Sequence, residues 1–269
     1  MKTQTKLYYI AYFDILGYKA FFEDKGNDVF GFLKSNVDLA NDVVRKTSFN
    51  ATFSGTKFEV KSFSDNFMIL IEAEGIECYQ ATKTLSFLVG LLQLRFLEKY
   101  SILLRGSITK GDAYIDQNIV FGEGLIRAVA QEERANFPRV IIDSERIGID
   151  TCEDLREKCV AKDEDDEYYV DFFEILGNDI GFDNSFSNNV ETHLSSIKKN
   201  IVVLIKRYGK YNRTVKDPNK IRQADKTISK YAWLLSKFNL YCGLYYPDWA
   251  IPFKLTLYYR LMKCEISIE

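Results

Sequence analysis

Asp14 and Asp65 are the residues of this chain best placed to do chemistry. Each is a carboxylate at the edge of an apolar run, in Phe13-Asp14-Ile15-Leu16-Gly17-Tyr18 and Ser62-Phe63-Ser64-Asp65-Asn66-Phe67. If the two runs are strands that end side by side, the carboxylates converge on a divalent cation. Hard ions such as Mg²⁺ or Mn²⁺ take oxygen ligands, and Mg²⁺ keeps several waters, so two carboxylates plus the phosphates of a substrate complete a site. Two such ions would lower the pKa of an attacking hydroxyl and neutralise the leaving phosphates. The backbone N–H groups of Ile15, Leu16, Gly17 and Tyr18, at an expected helix start, would face the same phosphates. The two aspartates also suit a plainer role, as the cap of a helix and the tip of a turn.

The flanking pattern supplies the elements that must carry them. Residues 7–13 are continuously apolar, the mark of a strand buried on both faces, and Gly17 permits a tight turn into a helix. A helix is expected over 28–46. The runs 58–63 and 67–71 read as a hairpin turning through Ser64-Asp65-Asn66, with Asp65 at its tip. A helix over 76–99 and a strand over 102–109, ending at Gly111, come next. Short strands at 113–115 and 119–121, a helix over 123–136 and a strand over 139–142 close this half. Strands alternating with helices around a central hairpin predict an α+β fold: a mixed or antiparallel sheet of ferredoxin-like order with helices packed on it. Beyond Cys152, residues 162–167 read as an exposed acidic loop, 168–175 as an aromatic strand and 177–189 as a loop. Helices follow over 190–208 and 218–238, the second opened by Asp217-Pro218. The expected organisation is a core over 1–150 with a C-terminal strand and helical extension, 151–269, packed on it.

Composition excludes more than it assigns. With 269 residues, 46% hydrophobic and 14% aromatic, the chain can bury a large core. A net charge of −2 gives no global pull toward nucleic acid or an acidic membrane. Five scattered cysteines predict reduced thiols in a cytoplasm rather than a disulfide framework. The N-terminal apolar run, broken by Asp14, is too short and polar for a signal peptide or a stable membrane anchor. His193, the single histidine, lies before Ser195-Ser196 but makes no triad. Gly106, Gly111, Gly122 and Gly124 form no Walker loop, and the aromatic residues fall within periodic core patterns.

Phe13-Asp14-Ile15-Leu16-Gly17-Tyr18 resembles the F-x-D-I-x-G-F element of the class III nucleotidyl cyclases. Lys61-Ser62-Phe63-Ser64-Asp65 is similar to that family's K-x-x-G-D hairpin, with Ser64 at the glycine position. Arg105-Gly106-Ser107-Ile108-Thr109-Lys110-Gly111 looks like its G-I-H-x-G strand, and Phe121-Gly122 precedes the next helix as in the family. The resemblance covers about residues 6–145 and makes 1–150 a cyclase-like catalytic core. It implies a head-to-tail homodimer in which Asp14, Asp65 and the Ile15 carbonyl hold two Mn²⁺ or Mg²⁺ ions, while Arg105 serves catalysis. Lys61 stands at the base-reading lysine and would bind substrate with Lys110 and the 15–18 backbone; Arg127 and Arg139 are further cations for the triphosphate. The family's base-reading aspartate and its transition-state Asn and Arg fall at Ile119, Ile126 and Ala130. This altered pattern, with Ser64-Asp65-Asn66, Glu132-Glu133 and Pro138-Arg139, resembles the divergent bacterial pyrimidine cyclases of antiphage defence, which make cyclic UMP or cyclic CMP. The expected activity is conversion of UTP, or CTP, to a 3′,5′-cyclic nucleotide. Two alternatives stay open: an inactive cyclase-fold nucleotide-binding regulator, and a palm or diguanylate-type phosphotransferase.

Overall fold

A computed structural model describes residues 5–17, 58–117, 119–149, 159–177, 189–212 and 217–252, together with Lys34, Ser35, Asp38, Asn41 and Asp42, which are helical. Most of the helix expected over 28–46 and nearly all of the loop expected over 177–189 lie outside the described residues. Strand β1 (Lys6–Ile15) pairs antiparallel with β3 (Asn66–Glu72) on one side and with β4 (Leu104–Ile115) on the other. Strand β2 (Phe58–Phe63) forms the hairpin with β3, which gives the order β2-β3-β1-β4 of a ferredoxin-like sheet. The sheet continues through β6 (Val140–Ile142), parallel to β4, and then β8 (Tyr168–Val170) and β7 (Val160–Lys162), while β5 (Val120–Phe121) pairs with β4. The expected α+β class and mixed sheet are what the chain adopts.

β1 reads as continuously apolar because both its faces are covered. Tyr9, Ala11, Phe13 and Ile15 join the larger core with helix α1 (Cys78–Tyr100); Tyr8, Ile10 and Tyr12 join a second cluster with Met68, Leu70 and Ala128 of helix α2 (Glu123–Arg134). The register of α2 on the sheet is set by a close approach. A Cβ on Gly111 would stand 2.6 Å from the Gly124 Cα, and one on Gly124 would stand 2.8 Å from Ile10 Cδ1. Gly111 therefore does not end a strand. The segments expected at 102–109 and 113–115 are one strand, β4, which needs a glycine where the helix crosses it.

The C-terminal half departs further from expectation. Lys162 ends β7, residues 163–167 form the turn of the β7–β8 hairpin, and the Asp163 side chain within it is buried rather than exposed. The aromatic strand expected over 168–175 stops at Val170; the Asp171 side chain then accepts from the Phe173 N–H at 3.3 Å and caps a 3₁₀ turn, Phe172–Leu176. After the short helix α3 (Ser144–Ile147) come α4 (Val190–Asn212) and α5 (Pro218–Tyr245), both longer than predicted. Asn200 ties α4 to the end of α1 by donating to the carbonyls of Leu97 (2.9 Å) and Glu98 (2.6 Å), and His193 pairs with Glu98 at 2.7 Å. No helix among the described residues is long and apolar enough to cross a membrane.

The hairpin that carries Asp65 contains a mismatch. Ser64 has φ +55°, a left-handed conformation that glycine adopts without steric cost and serine does not. Ser64→Gly should raise stability by up to about 1 kcal/mol, read as a higher urea midpoint with unchanged slope. A lower midpoint would contradict this reading of the turn.

Candidate active site

The two aspartates meet because their strands are neighbours. β1 sets Asp14 opposite Asn66 of β3, so the hairpin tip falls beside the end of β1. There the Ile15 N–H donates to the Asp65 carbonyl at 3.1 Å and fixes the tip to the strand. Burial pushes the Asp14 carboxyl above its ordinary value; Arg105 opposes that shift, and the charge of Asp65 adds to it. Two carboxylates held at neighbouring strand ends concentrate negative charge, which favours a cation.

Arg105 faces Asp14 across β1–β4. Its Nη2 lies 3.2 Å from Asp14 Oδ2, and its Nε 3.5 Å from Oδ1. The same Nη2 pairs with Glu132 of α2, a residue only 7% exposed. Burial first, and the nearby Asp14 charge second, push the Glu132 carboxyl up to about 7 against the pull of Arg105. Tyr12, two residues before Asp14 and on its face of the sheet, donates to Asn66 Oδ1 at 2.7 Å, and Asn66 Nδ2 lies 3.4 Å from Asp65 Oδ1. Burial, with Glu132, Asp14 and Asp65 adding to it, pushes the Tyr12 hydroxyl up to about 12, so it stays a proton donor that orients Asn66. Glu132, Tyr12 and Asn66 were not singled out for the site from the sequence. A carboxylate on the inward face of an amphipathic helix was the signal for Glu132.

The other sequence-derived candidates fall differently. The N–H groups of Ile15 and Leu16 are consumed by the carbonyls of Asp65 and Leu103 (2.9 Å), because β1 runs on to Ile15 before turning at Leu16-Gly17. They are not aimed at a phosphate. Gly17 turns with φ +78°, and Tyr18 lies outside the described residues. Lys61 shares the Tyr12 face through its partner Met68, but its Nζ donates to the Asp116 carbonyl at 2.7 Å and lies 3.4 Å from Glu59. Lys110 stands on the opposite face, 4.9 Å from the Tyr9 ring centre, and takes no part in the cluster. Arg127 is held by Asp143 and Glu145, and Arg139 by Asp163 and Asp165. Ile119 and Ile126 are 53% and 73% exposed and bring no polar group to the site.

Asp14 and Asp65 offer carboxylate oxygens of the kind a divalent cation takes. Arg105 pairs with Asp14 and Glu132, so a cation at Asp14 would share that carboxylate with the guanidinium. Among the described residues no cluster of three or more His, Cys, Asp or Glu could hold a metal by itself. A pair of carboxylates leaves coordination positions for water and substrate oxygens, as Mg²⁺ prefers.

Glu132 also makes stability depend on pH. Its folded value lies above the ordinary 4.5, so the folded chain binds this proton more tightly than the unfolded one. The contribution is full below that ordinary value and is lost as pH rises through about 7. Glu132→Gln should therefore remove a loss on the order of 2 kcal/mol that the wild type shows between about pH 5 and pH 8. Denaturant midpoints across that window are the measurement, and parallel curves for the two proteins would contradict it.

No known family profile matches the chain, and no curated protein does. Among solved structures it is similar to the adenylyl cyclase CyaB from P. aeruginosa, at 13% identity over 63% of this chain and 96% of that one, with a TM-score of 0.43. It is also similar to the guanylyl cyclase Cya2 (12% identity, 58% and 82% covered, TM-score 0.42). A third likeness is to the catalytic core of a rhodopsin-guanylyl cyclase with converted specificity in complex with ATPalphaS (11%, 62% and 95%, 0.43). Likenesses of this size carry no argument about activity, which rests on the residues of this chain.

Proposed function

We propose that the protein is a nucleotidyl cyclase that converts a nucleoside triphosphate to a 3′,5′-cyclic nucleotide and pyrophosphate. The observation that carries this reading is that Asp14 and Asp65 stand at neighbouring strand ends, Asp14 opposite Asn66 and the Asp65 carbonyl bonded to the Ile15 N–H. The order of the four cyclase-like segments along the chain supports it. Asp14, Asp65 and the Ile15 carbonyl would hold two Mg²⁺ or Mn²⁺ ions, which supply a lowered hydroxyl pKa and neutralise phosphate charge. Asn66 and Tyr12 orient Asp65, and Arg105 neutralises Asp14 and Glu132. In the reaction the substrate's 3′-oxygen bonds to the α-phosphorus and the bond from that phosphorus to the β-bridging oxygen breaks. Pyrophosphate leaves with the electron pair, and the hydroxyl proton passes to water.

The substrate in this reading is UTP, with CTP next, and the product a second messenger in cytoplasmic antiphage defence. Its support is the resemblance of the Ser64-Asp65-Asn66 hairpin and its companion segments to the pyrimidine cyclases. A homodimer is part of the same reading: Ile119, Phe121 and Ile126 leave apolar side chains exposed within one short stretch, a surface suited to a second copy. The test is incubation of the purified protein with Mn²⁺ or Mg²⁺ and each of ATP, GTP, CTP and UTP, followed by mass analysis. Cyclic UMP or cyclic CMP with pyrophosphate is the expected outcome. Absence of any cyclic product under all conditions, phage-derived activators included, would favour the inactive nucleotide-binding regulator.

A further inference from the structure

Helix α2 crosses β4 in a fixed register. The Ser107 hydroxyl donates to the Ala128 carbonyl at 2.7 Å, and further along Gly111 meets Gly124. Arg105 lies two residues before Ser107 on the same face of the strand, and Glu132 one turn after Ala128 on the same face of the helix. The two steps are of similar length, about 7 Å along a strand and about 5.4 Å along a helix, so the contact that seats Ala128 also sets Glu132 over Arg105. From the other side β1 places Asp14 directly opposite Arg105. One guanidinium thus stands between two carboxylates carried by different elements.

The two partners differ in reach. The Asp14 side chain is 21% exposed and the Glu132 side chain 9%, so an ion arriving from solvent reaches Asp14 more readily than Glu132. They also differ in hold. Arg105 approaches Asp14 at 3.2 and 3.5 Å, longer than the roughly 2.7–2.9 Å of a strong charge-assisted bond, and Glu132 is the nearer carboxylate. Among the described residues Arg105 is the one charged partner of Glu132, whose Oε1 has no hydrogen bond. A buried carboxylate with a single counter-ion keeps it, because release leaves a charge with neither water nor partner. A metal ion and a guanidinium on one carboxylate repel each other, so a cation at Asp14 needs Arg105 to withdraw. Glu132 is the place to which it can withdraw.

We propose that Glu132 is a positioning residue for the cation at Asp14: it draws Arg105 off the Asp14 carboxylate and holds the guanidinium while the cation binds. This rests on the metal reading of the Asp14–Asp65 pair. It gives a buried carboxylate of α2 a part in the site without contact to metal or substrate.

The test is titration of the full chain with Mn²⁺ alone, followed through the free-ion signal in electron paramagnetic resonance. Glu132→Gln keeps the size of the side chain and removes its charge, which leaves Arg105 to Asp14, and Mn²⁺ affinity should fall at least about tenfold. Glu133→Gln removes the same charge from the exposed neighbouring position and should stay within about twofold of wild type. In an Arg105→Met background the competitor is gone, and adding Glu132→Gln should change Mn²⁺ affinity by less than about threefold. Melting curves check that each variant is folded; where Arg105→Met is not, Arg105→Gln, which keeps a donor for Glu132, takes its place. A Glu132→Gln variant that binds Mn²⁺ as wild type does overturns the proposal and leaves the reading of the aspartate pair standing. An equal loss with and without Arg105 also overturns it, because Glu132 then acts through its own charge. Wild type that takes up no Mn²⁺ removes the metal reading and this inference together.

Discussion

Asp14→Ala and Asp65→Ala are each expected to cut the rate of cyclic nucleotide formation by at least about a thousandfold, some 4 kcal/mol of transition-state stabilisation. The two carboxylates lie on different strands, and neither can replace the other, because the β1–β3 register fixes both. Folding should survive. Asp14 is held above its ordinary value by burial, so its charged form already costs the fold, and Arg105 keeps Glu132 when Asp14 is removed. Asp65 sits in the hairpin turn, where its structural tie to β1 is its backbone carbonyl rather than its carboxylate. Initial rates with Mn²⁺ and melting curves of both variants separate the two effects. A folded variant that keeps the wild-type rate would remove that aspartate from the site.

The second large effect is one of stability. Arg139→Ala is expected to destabilise the chain by about 3–5 kcal/mol, the range for breaking a buried ion pair from one side. Arg139 is fully buried, pairs with Asp163 and Asp165, and packs against the rings of Phe137 (5.2 Å) and Tyr169 (5.9 Å). Asp163 in turn receives Trp233 and Lys237, so one arginine joins the β7–β8 hairpin and α5 to the end of β6. Burial pushes Asp163 up, but its hydrogen bonds from Lys237 and Trp233 outweigh it and hold the carboxyl below the ordinary range. Its folded value is depressed, so this stabilisation is present above the ordinary carboxylate range and is lost as pH falls through the folded value. Urea midpoints near neutral pH test the arginine, and a loss under about 1 kcal/mol would contradict the clamp.

The same clamp marks where sequence reasoning ran out. Strands of three residues with an acidic turn between them carry no periodic signal, so the β7–β8 hairpin reads as an exposed loop. Its stability comes from Arg139, far along the chain, and no local pattern reports that. Asp14 and Asp65 were legible because each marks the boundary between a run buried on both faces and a turn. Helix α5 showed its apolar face but gave no sign that Trp233 and Lys237 would meet Asp163. Lys110 could have been placed correctly: an odd offset from Arg105 on one strand puts the two on opposite faces. The N–H groups of Ile15 and Leu16 were assigned to phosphate because the strand was taken to stop earlier, and flanking β3 and β4 extend it.

In the proposed reaction Asp14 and Asp65 together hold divalent metal at a triphosphate site. The most direct measurement is a Mn²⁺ titration followed by electron paramagnetic resonance, with a UTP analogue that cannot be cleaved between the α- and β-phosphates. Wild type should remove Mn²⁺ from the free-ion signal, and Asp14→Ala and Asp65→Ala should each leave the ion free at the same concentrations. Equal Mn²⁺ binding by wild type and both variants would contradict the account.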